Sequence, residues 1–167
     1  MYDYLKLILF PVLVIVGWSL GERNFDLGRR FCLALGLVLA WHLLVLGISG
    51  WWEDVTAMPE VHRWTGQSLV VASWLCTPLA IGVALGAQFR RRVWLALGKT
   101  VVALATLGVV LLASFTGYLD PSLDEATMNR FEVWHTMFLP GICLLLLLLW
   151  CGLYAPPLKR NKESPEP

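Results

Sequence analysis

The sequence predicts an all-α integral membrane protein, a bundle of about five transmembrane helices with its amino terminus outside and its carboxyl terminus in the cytoplasm. Three observations lead there. Apolar residues make up 57% of the chain and charged residues 15%, with a mean hydropathy of +0.66, far from the balance of a soluble domain. The apolar residues gather into five runs of a length suited to a hydrocarbon layer roughly 30 Å thick. Lysines and arginines crowd into alternate connections between those runs.

With 167 residues, five spans and short loops use up the chain and leave no sizeable soluble domain, so any chemistry sits within the bilayer or at its faces. The net charge of +1 is sorted by loop and forms no basic patch, which argues against nucleic acid as a partner.

The first span covers 5–20. Asp3 and Lys6 precede it and no small-x-small cleavage site follows Trp18, so it reads as a retained helix and not a signal peptide. Pro11 costs least if the helix begins near Ile8. A polar connection over 21–30 carries Arg23, Arg29 and Arg30. The second span, 31–50, is interrupted only by His42 and ends at Trp51 and Trp52, an aromatic belt at an interface. The next loop holds Glu53, Asp54, Glu60 and Pro59.

The third span, 64–88, contains Gly82 and Gly86, a GxxxG step that lets another helix approach closely, and stops at Arg90, Arg91 and Arg92. The fourth, 95–119, has one charge, Lys99. The residues after Lys99 suffice to cross the bilayer, so it is expected at the boundary with its amine snorkelling to water. Ser122 and Glu125 have the spacing of a capping box, which starts the fifth helix before it enters the membrane. The fifth span, 132–154, is a leucine run with His135 near its entrance; it has no charged side chain from Thr136 to Tyr154, a length of about 28 Å. Pro156 and Pro157 end it, and the polar, proline-rich tail, 156–167, is expected to be disordered and cytoplasmic.

The arginine-rich connections after the first and third spans, together with Lys159, Arg160 and Lys162 of the tail, define the cytoplasmic side. The other two loops carry only Arg63 and Arg130 among carboxylates. The expected location is a cell membrane, the bacterial inner membrane above all.

Cys32, Cys76, Cys143 and Cys151 lie in or beside apolar runs with no CxxC or CxxCH, so they read as packing residues; the missing motif excludes a covalent c-type haem, and the lack of a closely spaced Cys/His cluster argues against a structural zinc site. The histidines are more informative. His62 and His135 fall at matching depth near the outer face, on different helices, which is what a b-type haem needs for two axial imidazoles. Arg63 and Arg130, on the same face, are the candidate partners of its propionates. The competing reading makes both histidines interfacial anchors beside Trp64 and Trp134. His42 lies about 13 Å below the outer interface. It is either an alternative ligand opposite His135 or a structural residue bonded to Ser73, Thr106 or Ser114.

The segment SFTGYLDPS, Ser114 to Ser122, followed by a histidine-bearing helix, resembles the corresponding part of membrane b-type cytochromes, and HRWTG at the start of a span resembles the histidine entry of smaller members of that group. No span here has the two histidines of the large cytochrome b subunits, and Asp120, Pro121 and Ser122 stand where those have Pro-Trp. The resemblance implies one haem b and not two. The expected function is therefore a haem-bearing electron-transfer component with haem near the outer face. The alternative is a non-catalytic membrane subunit or assembly partner of a larger complex, and either would pack against other membrane subunits. A transporter is disfavoured by the absence of intramembrane carboxylates, and a hydrolase by the absence of GxSxG or HExxH.

Overall fold

The computed structural model describes residues 2–51, 58–88, 92–116 and 124–156. The capping residue Ser122, the arginines Arg90 and Arg91, most of the loop after Trp51 and nearly all of the tail lie outside those residues. Every element is helical: α1 (Tyr2–Arg23), α2 (Phe25–Trp51), α3 (Met58–Gln88), α4 (Val93–Thr116), α5 (Glu125–Val133), a π-helical turn (Trp134–Phe138) and α6 (Leu139–Tyr154). Among the described residues four helices are long and apolar enough to cross a membrane, namely α2, α3, α4 and the continuous rod of 30 residues from α5 to α6.

The helices outrun the apolar runs. The expected polar connection at 21–30 is helical apart from Asn24, whose side chain accepts a hydrogen bond from Leu27 N at 3.0 Å and restarts the helix at once. At α5 the described cap is Asp124, with Oδ1 accepting from Thr127 N at 2.9 Å and Oδ2 from Thr127 Oγ1 at 2.6 Å. The hydrogen bonds from Thr127 hold the Asp124 carboxyl below its ordinary range.

α2, α3, α4 and α6 form a closed ring in which each packs on two neighbours, and α1 lies outside it against α3. The GxxxG step makes that outer contact. A Cβ at Gly82 would run into the backbone of Val14 and Trp18, one at Gly86 into Trp18, one at Gly17 into Leu79 and one at Gly21 into Val83. Only hydrogens fit there, so two backbones touch and gain dispersion contact that lipid cannot supply.

Inside the ring the core has two levels. Leu39, Leu69, Cys76, Val110, Cys143 and Leu147 fill the half nearer the histidines; Cys32, Ala80, Ile81, Val83, Ala103, Trp150 and Tyr154 fill the other. Two polar bonds pin the second level: Trp150 Nε1 donates to Cys32 O at 2.8 Å, and Tyr154 OH to Ala80 O at 3.2 Å across the diagonal of the ring. Three cysteines are buried and none is disulfide-bonded, in keeping with a packing role.

Lys99 departs from expectation. It is 3% exposed, with Nζ 4.4 Å from the centre of the Tyr154 ring and 5.8 Å from that of Phe25. The side chain is covered because α2 begins at Phe25 and α6 runs to Tyr154, and both rings pack on it.

Candidate functional site: a histidine pair at one end of the ring

His62 stands in the second turn of α3 and His135 in the π-helical turn, so the diagonal of the ring carries the two imidazoles at one end. Their ring centres are 6.2 Å apart and their planes meet at 63°. Both rings are partly buried.

The π turn follows from Pro140. A proline one turn beyond Thr136 cannot donate to the Thr136 carbonyl and crowds it, so an unbroken α-helix through this point is strained. The chain takes one wider turn, with Leu139 N bonding to Trp134 O, and Thr136 Oγ1 closes back on Glu132 O at 2.7 Å. The extra residue rotates the segment carrying His135 relative to the leucine run behind it, and π turns of this kind recur at functional sites.

The other diagonal of the ring supplies two hydroxyls. Ser49 of α2 lies 3.3 Å from His62 Nδ1, and Thr116 of α4 lies 3.1 Å from His135 Nδ1. Each hydroxyl already donates to a carbonyl of its own helix three residues earlier, Ser49 to Leu46 O at 3.2 Å and Thr116 to Ala113 O at 2.9 Å. A hydroxyl engaged in this way has a lone pair to offer an imidazole N–H. His135 Nδ1 also lies 3.1 Å from Ala113 O, which can only accept. The bond to Ala113 O needs the proton on Nδ1 of His135, and among the described residues neither Nε2 has a partner. Gly50 completes the seat: a Cβ there would stand 3.2 Å from His62 Cε1 and 3.3 Å from its Nδ1, so the ring packs directly on the backbone of α2.

His42 is not part of this group. Its Nδ1 donates to Val38 O of its own helix at 2.8 Å, so the expected bond to Ser73, Thr106 or Ser114 is not made. Thr106 likewise turns to a carbonyl of its own helix, Val102 O, at 2.8 Å, and Ser73 Oγ is buried without a partner among the described residues. The backbone of α2 satisfies His42 more cheaply than a neighbouring helix can.

The two arginines differ. Arg63 is engaged by Glu60 through contacts of 3.1 and 3.2 Å, while Trp64 Nε1 donates to the same carboxylate at 3.2 Å and the Trp64 ring lies 5.7 Å from the guanidinium. Arg130 makes no ion pair among the described residues and lines a shallow open depression with Asn129, Val133 and Trp134. Among the described residues no three His, Cys, Asp or Glu side chains converge as a metal cluster, so the only N-donor pair brought together is His62 with His135.

Sequence reasoning missed Ser49, Thr116 and the π turn. Pro140, five residues after His135, is the one signal that could have disclosed the turn; nothing distinguishes the two hydroxyls from other helix-end serines and threonines. No family model, curated protein or solved structure matches the chain.

Proposed function

We propose that the protein is a membrane electron-transfer component in which His62 and His135 are the axial ligands of one b-type haem. The observation that carries this reading is the pair of imidazoles on facing helices, each bonded through Nδ1 to a hydroxyl and with no partner at Nε2 among the described residues. A metal-binding histidine needs that division of labour, since the bond at one ring nitrogen sets the tautomer and orientation of the other. The spacing agrees. Ring centres 6.2 Å apart mean that His62 and His135 together would hold a single iron.

When bound, the haem iron supplies one-electron redox chemistry. The chain's own residues do the rest. Ser49 and Thr116 orient the imidazoles through Nδ1, Ala113 O accepts from His135 Nδ1, the apolar core lies below, and Arg130, exposed and without an ion pair among the described residues, is the cation to meet a propionate. Arg63 is less suited, because Glu60 already neutralises it.

The membrane arrangement in this reading has five spans, α1 being the first, with the histidine end outward and the tail cytoplasmic, in a bacterial inner membrane and against further subunits. The loop charges support it. The test is optical. Protein purified from haem-supplied cells should show a Soret band and, on reduction, an α band; a colourless preparation overturns the haem reading and leaves that of a non-catalytic membrane subunit or assembly partner.

A further inference from the structure

The end of the ring opposite the histidines holds an unanswered positive charge. Lys99 and Thr116 lie on the same helix about 25 Å apart at the helical rise. The rings of Tyr154 and Phe25 attract the Lys99 ammonium but offer no lone pair in line with its three N–H groups, and among the described residues it makes no hydrogen bond or ion pair. Arg29 stands one helical turn beyond Phe25 on α2, the residue whose ring lies 5.8 Å from Lys99 Nζ. Its side chain is 16% exposed, its Nε is buried without a partner, and its NH2 group reaches only Asp26 at 3.4 Å, a carboxylate that is 73% exposed. Two cations thus stand at the end of the ring where α2 and α4 begin and α6 ends, and the carboxylate paired with one of them is largely solvated. Such a charge is not held in an apolar bundle without oxygen ligands.

We propose that Lys99 and Arg29 form a binding site for the phosphate of an anionic phospholipid headgroup. A phosphate presents several oxygens to the ammonium and to Arg29 Nε together, and guanidinium and ammonium are its ordinary protein partners. The surroundings favour a lipid over free phosphate. Phe25, Leu27, Trp94 and Leu97, each within five residues of one of the cations, present exposed apolar surface on the same end of α2 and α4, Trp94 being 83% exposed, so acyl chains can lie along the outside of the helices. This site is independent of the histidine pair.

The experiment titrates the full-length protein in a neutral detergent with phosphatidylglycerol, with phosphatidylcholine and with inorganic phosphate, reading the unfolding temperature and the lipid retained in native mass spectrometry. Phosphatidylglycerol should raise the unfolding temperature and remain bound, and the other two should not. Lys99→Met should weaken phosphatidylglycerol binding at least about fivefold, as should Arg29→Gln, which decides the matter if Lys99→Met fails to fold. Equal stabilisation by both lipids, or unchanged phosphatidylglycerol binding in Arg29→Gln and in a folded Lys99→Met, would overturn the proposal. Stabilisation by inorganic phosphate alone would overturn the lipid as the source.

Discussion

His62 and His135 face each other across the diagonal of a four-helix ring with their centres 6.2 Å apart, and each is tied through Nδ1 to a hydroxyl on the helix beside it. The tie at His135 is the firmer: Thr116 and Ala113 O both lie 3.1 Å away, whereas His62 has Ser49 alone at 3.3 Å. On the proposed haem reading, Thr116→Val and Ser49→Ala should each weaken haem binding, by about 10–100-fold for the lost partner of a histidine that holds the metal. Haem titration followed at the Soret band measures this, and unchanged affinity in both variants would show that the hydroxyls do not position the ligands.

The contact between α1 and α3 depends on glycine at Gly82, where any side chain meets backbone. Gly82→Leu should detach α1 and lower stability by about 1–3 kcal/mol or more, read as detergent-solution unfolding. Gly98→Leu is the control, since a Cβ at Gly98 meets nothing within 4 Å, and it should leave stability unchanged.

The cap of α5 should respond to acid. Hydrogen bonds from Thr127 lower the Asp124 carboxyl below its ordinary value of 3.8. A carboxylate depressed in the folded state stabilises it above the unfolded value and loses that contribution as pH falls through the folded one. The first turn of α5 should therefore stay protected at neutral pH and fray only below the ordinary carboxylate range. Amide exchange at Thr127 reports it, and Asp124→Ala should exchange quickly at every pH.

The charge sorting predicts that a reporter after Lys159 is cytoplasmic and one in the loop before Pro59 external. Both reporters on one side would contradict the five-span arrangement.

Much of this was legible in the residues, and the rest was not for identifiable reasons. Apolar runs disclose helices because a bilayer demands continuous apolar length, but they understate helix ends: Asn24 and Asp124 cap helices well outside the apolar segments. The glycine step at Gly82 and Gly86 was readable as close packing, though not that its partner is α1. Matching depth singled out His62 and His135; it could not say that Ser49 and Thr116 hold them, since that follows from which helices are neighbours in the ring. The pairing of Glu60 with Arg63 was available from their spacing of three and would have separated Arg63 from Arg130. Lys99 looked peripheral because chain position says nothing about the helix ends that cover it.

The most direct measurement is the reduced-minus-oxidised spectrum of protein purified from haem-supplied cells, taken for the wild type and for His62→Ala, His135→Ala and His42→Ala. A haem held by two axial imidazoles and no covalent tether should be lost with either ligand. Wild type and His42→Ala should show the α band; His62→Ala and His135→Ala should lack it while still inserting in the membrane. An α band that survives loss of His62 and vanishes with His42 would contradict the pairing described here.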